Sequence, residues 1–199
     1  NMKLQHENTL VGDTDEIAQS VEEKEYGFIA TSMGEGLAKI FKDFGVDYII
    51  EGGQTMNPST EDFMKAIDSI NAKTIFIFPN NSNIIMAANQ AKELSDKNII
   101  VIPTKNTPQG FTALVNFNAD ASVEENEQAL MESLTMVKSG QVTFAVRDTV
   151  MNDVEVKEGN IIGIAEGKLM DAGDSVDEIT TSLVEKLVDE DSAIITLFY

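Results

Sequence analysis

The sequence predicts an α/β protein with a parallel-sheet lobe and flanking helices, followed by a smaller α+β lobe. A unit of apolar strand, small polar loop and amphipathic helix occurs four times. Continuous apolar strands that alternate with helices are typical of a parallel sheet covered on both faces. The pattern changes near Asp120, after which a long helix and short hairpin-like strands follow. We therefore expect a linker from a preceding domain at 1–25, the parallel lobe at 26–121 and the α+β lobe at 122–199.

Four strands are predicted in the first lobe, near residues 26–31, 46–51, 74–78 and 98–103. Right-handed crossovers place the loops that follow these strands on one edge of the sheet. Open α/β sheets bind ligands and partners at that carboxyl edge.

The loop after the second strand has the most distinctive sequence, with Gly52 and Gly53 followed by small polar residues. Glycines allow backbone N–H groups to approach a bound group closely. Asn57 or Ser59 can cap the following helix, with Pro58 tolerated in its first turn. A tight, well-capped turn without a ligand explains the same residues, so both interpretations stay open.

We call the four loops at this edge the rim. Its candidate partner- or ligand-binding residues are small, polar or flexible: Ser32, Met33, Gly34, Gly36, Gly52, Gly53, Gln54, Thr55, Met56, Asn57, Asn80, Asn81, Asn83, Thr104, Lys105 and Gln109.

The chemistry of the rim favours binding over catalysis. The sequence has no Gly-x-x-x-x-Gly-Lys-Ser/Thr phosphate loop and no His-Glu-x-x-His motif. The single histidine, His6, lies in the polar N-terminal segment, and Lys105 is the one lysine of the rim. We assign no catalytic residue and no metal ligand, and we expect that this chain alone neither binds ATP nor transfers phosphate.

Composition narrows the classes of partner. The net charge of −20 opposes binding to nucleic acid or to an anionic membrane surface and favours a basic partner surface. The chain has no cysteine, which fits a reducing compartment, and no apolar run long enough to cross a bilayer. We expect a cytoplasmic protein.

The second lobe is predicted from capping signals and short strands. Ser122 with Glu125, and Ser175 with Glu178, have the spacing of capping boxes. The first of these helices is expected to run to Gly140. Strands are expected at 141–147, around 154–156, at 161–165 and at 193–199.

Four motifs in order carry a family resemblance, and together they are highly specific: Glu51-Gly52-Gly53-Gln54-Thr55-Met56-Asn57-Pro58-Ser59-Thr60-Glu61-Asp62, Phe78-Pro79-Asn80-Asn81-Ser82-Asn83-Ile84-Ile85, Val101-Ile102-Pro103-Thr104-Lys105-Asn106-Thr107-Pro108-Gln109-Gly110 and Ala145-Val146-Arg147-Asp148-Thr149. From Tyr26 onward the chain resembles the C-terminal domain of the A subunit of bacterial fatty acid kinase, a protein related to dihydroxyacetone kinases.

The resemblance implies a role inside a larger enzyme. In that family an N-terminal domain binds ATP and Mg²⁺, so these cofactors belong to the kinase domain of the full chain. The kinase phosphorylates a fatty acid held by the B subunit, giving an acyl phosphate for phospholipid synthesis. The C-terminal domain is similar to the B subunit, which binds the fatty acid, and to the dihydroxyacetone-binding subunit of dihydroxyacetone kinase. It is implied to dock the B subunit. A homodimer of the full-length protein is also left open.

The sequence departs from the related families at two points. Dihydroxyacetone-binding subunits hold their substrate through a histidine in the sheet domain, and this chain has none there. The family continues past Tyr199 with a further helix and strand, so we expect the second lobe to be truncated. Two hypotheses follow: a docking module of a two-protein kinase, or a domain that binds or senses a polyol or phosphorylated metabolite.

Overall fold

The computed structural model describes residues 22–52, 57–151 and 154–198. Its elements follow in the order β1 (Lys24–Ser32), α1 (Gly34–Asp43), β2 (Tyr48–Glu51), α2 (Thr60–Ser69), β3 (Ala72–Phe78), a 3₁₀ turn (Ser82–Ile84), α3 (Ile85–Leu94), β4 (Asn98–Val101), α4 (Thr107–Val115), α5 (Val123–Ser133), β5 (Gly140–Phe144), β6 (Thr149–Met151), β7 (Val154–Val156), β8 (Ile161–Ala165), β9 (Lys168–Gly173) and α6 (Val176–Leu187).

The first four strands form one sheet in the order β2-β1-β3-β4, and all three pairings are parallel. This confirms the predicted parallel sheet. The two central strands, β1 and β3, supply most of its buried residues, while β2 and β4 are short edge strands of four residues each. Short edges limit pairing with other chains.

Alternating side chains of the central strands fill two cores. Ile29, Ile75 and Ile77 face α2 and α3. Phe76 and Phe78 point to the opposite face, where α1, α4 and α5 cover them. Because successive strand residues point to opposite faces, a continuous apolar run such as that in β3 buries both sides of the sheet.

The second sheet is antiparallel, in the order β5-β8-β9, and β6 pairs with β7 as a separate hairpin. Helix α6 covers this sheet closely: a Cβ added at Gly140 would lie 2.8 Å from Leu183. The α+β pattern expected here is therefore observed. The division of the chain at residue 122 stays a prediction.

Two expectations for the second half were wrong. Residues 193–198 form no strand, because they pair with no neighbouring strand; the Phe198 ring instead stacks on Phe111 at 5.5 Å. Helix α5 ends at Ser133 and not near Gly140. There the chain tightens into three-residue turns, and the Ser133 hydroxyl donates back to the Leu130 carbonyl at 2.7 Å. The expectations for residues 1–21, including His6, lie outside the described residues.

Candidate functional site

The rim lies at the carboxyl edge of the parallel sheet, where the sequence predicted it. The loops after β1, β2, β3 and β4 all start there because the four strands run in the same direction. Neighbouring strands lie about 4.8 Å apart, so the loops of the two edge strands are separated by about 14 Å. This breadth suits a docking surface or a small-molecule site.

Asn80 ties three strands together at this edge. Its backbone N–H donates to the Thr104 hydroxyl at 2.9 Å, and its side-chain amide donates to the Thr31 carbonyl at 2.9 Å. The backbone of Asn80 has a φ of 56°, a left-handed conformation that asparagine tolerates better than most residues. The backbone and side-chain N–H groups of Asn80 and the Thr104 hydroxyl are thus committed to internal hydrogen bonds.

Gly110 on α4 allows Asn80 to take this position. A Cβ added at Gly110 would lie 2.2 Å from the Asn80 side-chain oxygen. No side chain other than glycine fits without displacing Asn80. Asn80, a predicted site residue, and Gly110 therefore pack as one unit.

Gln109 also points inward. Its side-chain oxygen accepts from the Lys105 backbone N–H at 2.7 Å, and its amide donates to the Leu134 carbonyl at 3.4 Å. The neighbouring Asn106 caps α4 and donates to the Ser139 hydroxyl at 2.8 Å. These bonds fix the loop and leave the Lys105 side chain exposed.

Side chains that reach solvent are contributed by every loop of the rim. Met33, Asn57, Asn83 and Lys105 are exposed, one from each loop. Asn81 accepts from the Asn83 backbone N–H at 2.9 Å and so caps the 3₁₀ turn. Four predicted site residues lie outside the described residues: Gly53, Gln54, Thr55 and Met56.

The rest of the β2 loop joins α2 through strong local contacts. Gly52 is buried, and a Cβ there would lie 2.6 Å from Thr31 and 2.9 Å from Pro58. Ser59, and not Asn57, caps α2 in a complete capping box with Asp62. Hydrogen bonds from the Ser59 backbone and hydroxyl lower the pKa of Asp62. Asn57, Asp62 and Lys65 line a surface pocket of about 690 Å³ beside β2.

The start of α1 is built differently. Met33 occupies the N-cap position and provides no side-chain cap, and Gly34 has a φ of 74°. A Cβ added at Gly36 would meet no atom within 4 Å, so packing does not explain that glycine. Ser32 is only 5% exposed and lines a second pocket, of about 700 Å³.

Unpartnered buried oxygens are concentrated at this edge. In the part of the chain that the structure describes, the buried side-chain atoms without a hydrogen-bond partner are Thr31 Oγ1, Ser32 Oγ and Asn80 Oδ1. Such atoms cost free energy unless something binds them. Thr31 was not among the residues predicted from the sequence. The sequence signal that could have identified it is the alternation of β1. Thr31 lies two residues after the core residue Ile29, so its hydroxyl faces the same side of the sheet.

Two features of the described residues concern metal clusters and membrane-spanning helices. Among residues 22–52, 57–151 and 154–198, no group of three or more His, Cys, Asp or Glu side chains is arranged to hold a metal ion. Within the same ranges, no helix is both long enough and apolar enough to cross a membrane.

The fold and the rim define a class: an α/β protein with a parallel sheet whose carboxyl edge is polar, followed by a small antiparallel sheet. The family model for the C-terminal region of proteins like the A subunit of fatty acid kinase matches residues 27–199. The chain belongs to this family, which confirms the resemblance found in the sequence.

Curated relatives agree with this assignment. Protein YloV of Bacillus subtilis is 47% identical over 174 residues, which cover 87% of this chain and 32% of the relative. An uncharacterized protein of Staphylococcus aureus (strain USA300) is 42% identical over 197 residues, covering 99% of this chain and 36% of the relative. The chain thus spans about a third of the length of the curated relatives it matches.

Proposed function

We propose that this chain is the docking domain of the A subunit of a fatty acid kinase, where it binds the fatty-acid-loaded B subunit. The kinase domain elsewhere in the full protein then phosphorylates the fatty acid to an acyl phosphate for phospholipid synthesis. The observation that carries the proposal is the family match over residues 27–199. The cytoplasmic location, the kinase cofactors ATP and Mg²⁺, and a fold similar to that of the B subunit belong to the same proposal.

The exposed side chains of the rim support a docking role. Met33 is 50% exposed and offers an adaptable apolar contact, as methionine does at many binding surfaces. Asn57, Asn83 and Lys105 supply hydrogen-bonding groups around it. Asn80, Thr104 and Gln109 form internal hydrogen bonds that hold the loops in place around these exposed side chains.

The test measures binding of the B subunit, loaded with fatty acid, to this chain by calorimetry. Loss of a satisfied interface hydrogen bond costs about 1 kcal/mol, and truncation of a contacting methionine adds to this. We therefore expect the double substitution Met33→Ala/Asn57→Ala to weaken binding by about tenfold or more. Lys105→Gln should also weaken binding, because the loss of a contacting ammonium donor outweighs the smaller repulsion from a basic partner.

Lys73→Gln is the matched control for Lys105→Gln. It removes the same charge, but Lys73 lies at the amino end of β3, at the opposite edge of the sheet. Binding that is unchanged in the double variant and in Lys105→Gln would move the docking surface away from the rim. Equal weakening by Lys73→Gln and Lys105→Gln would indicate a general charge effect and contradict a localised contact.

A further inference from the structure

The loop at the start of α1 has features that a protein contact does not require. Ser32 is only 5% exposed, yet its hydroxyl has no hydrogen-bond partner among the described residues. A buried hydroxyl that loses water without gaining a partner is unfavourable, and a bound group that accepts from Ser32 would offset this cost. Ser32 lines the pocket of about 700 Å³ that opens beside the first turn of α1.

The backbone at this point offers further donors. The first N–H groups of any helix lack partners within the helix, and α1 has no side-chain cap to accept from them. Four other helices, α2, α4, α5 and α6, are capped by Ser59, Asn106, Ser122 and Ser175, whereas α3 also has no side-chain cap but continues directly from the 3₁₀ turn. The left-handed φ of Gly34, followed by helical residues, resembles backbone that turns successive N–H groups towards an anion.

The space above these donors is open. A Cβ added at Gly34 or Gly36 would meet no atom within 4 Å. Any other residue at Gly34 would be strained by its φ of 74°. At Gly36 only the missing side chain keeps the first turn clear, so a ligand can approach the backbone closely.

Charges around the pocket are mixed. Lys39 and Lys42 line it, and neither forms an ion pair with a described residue. Lys39 lies five residues from Gly34, about 7.5 Å along the helix, and helical side chains lean towards the N-terminus. Glu35 and Glu51 line the same pocket and oppose an anion. Binding should therefore depend on both signs of charge.

We propose that Ser32 and the N-terminal turn of α1 bind an oxyanion, the phosphate or carboxylate group of a small molecule. The Ser32 hydroxyl and the N–H groups of residues 34–36 donate to it, and Lys39 supplies a positive charge. This site goes beyond the docking of a B subunit, and its test involves no second protein.

The experiment is an NMR titration of this chain with sodium phosphate, and separately with sodium acetate, at constant ionic strength. We expect the amide signals of Gly34, Glu35 and Gly36 to shift together and to saturate. Saturation with phosphate alone identifies phosphate as the ligand group, and saturation with acetate alone identifies carboxylate. Saturation with both identifies a general oxyanion site. The absence of saturable shifts with either probe overturns the proposal and leaves the Ser32 hydroxyl to a water molecule.

Variants separate this site from nonspecific binding. A hydrogen bond to a charged group contributes enough that Ser32→Ala should weaken binding about tenfold. Its folding should be retained, because alanine removes an unpartnered hydroxyl and little volume. Thr31→Val is the matched control: it removes the neighbouring unpartnered hydroxyl, which does not line the pocket, and should leave the affinity unchanged. Unchanged affinity in folded Ser32→Ala contradicts the proposal.

Charge substitutions give an answer even if Ser32→Ala fails to fold. Lys39→Gln should weaken binding about threefold and Glu51→Gln should strengthen it about threefold, the range expected for exposed charge pairs. Opposite effects support the site, whereas equal affinities in the two variants overturn it.

Discussion

Gly110→Ala should destabilise the protein through one identifiable clash. The added methyl would lie 2.2 Å from Oδ1, 2.8 Å from Cγ and 2.9 Å from Nδ2 of Asn80. Asn80 is unable to move without losing its bond to the Thr31 carbonyl, which measures 2.9 Å. Adding a methyl group to a filled site costs about 1–3 kcal/mol, and the lost bond costs about 1 kcal/mol more.

A gain in helix propensity opposes these costs. Gly110 lies inside α4, where alanine is about 1 kcal/mol more favourable than glycine. The net destabilisation should therefore be about 1–3 kcal/mol, measured by urea unfolding followed by circular dichroism. Gly36→Ala provides the matched control, because its Cβ meets no neighbour and it should stabilise the protein by up to about 1 kcal/mol.

The double variant tests the cause. Asn80→Gly removes the side chain that obstructs the methyl, and glycine accepts the φ of 56°. In that background Gly110→Ala should become neutral or stabilising, so that its effect changes sign. The size of this change is the coupling energy between the two positions. If Gly110→Ala costs the same with and without Asn80, the clash is not the cause and the explanation of this glycine fails.

Three other predictions concern stability and association. Hydrogen bonds lower the pKa of Asp171, with the largest contribution from Ser182 and the next from Lys186. The resulting stabilisation is present above the unfolded pKa of about 3.9 and is lost as the pH falls through the lower pKa of the folded state. The difference in urea stability between wild type and Asp171→Asn should shrink below about pH 4, and a difference that persists to about pH 2 would contradict this. Gly45→Ala should lower the free energy of unfolding by about 1 kcal/mol, measured by thermal unfolding. Gly45 has a φ of 89° and an added Cβ would meet no atom within 4 Å, so the cost is backbone strain alone. An unchanged stability would refute this explanation. Stopped-flow association with the B subunit should slow as salt rises if the charge of −20 steers a basic partner, and flat rates would remove that role.

The parallel sheet was predictable because its signal is local and repeated. Each strand is an apolar run, and each is followed by a turn and an amphipathic helix, so direction and layer order follow from general rules of connection. Capping residues were also predictable from the sequence. The capping box of Ser122 with Glu125 is present, as their spacing indicated. For the N-cap of α2 the sequence left two candidates, Asn57 and Ser59, and the structure shows that Ser59 is the cap.

Features that depend on distant partners were not predictable. Residues 193–198 have the composition of a strand, but a strand exists only where another strand pairs with it. The contacts of the rim residues were unpredictable for the same reason. Sequence placed Asn80 and Gln109 at this edge, but their inward hydrogen bonds depend on the register of three strands and on the close approach of α4.

The segment at 193–198, which belongs to no strand, has a consequence for how this chain behaves at high concentration. Ile194 is 86% exposed and Leu197 65% exposed, and the run between them contains no charged side chain. At neutral pH the net charge of −20 keeps molecules apart by mutual repulsion. Near the isoelectric point of about 4.2 that repulsion vanishes while the apolar run stays available to a neighbouring molecule. Light scattering should therefore rise steeply as the pH falls from about 5 towards the isoelectric point, and Ile194→Lys should delay the rise.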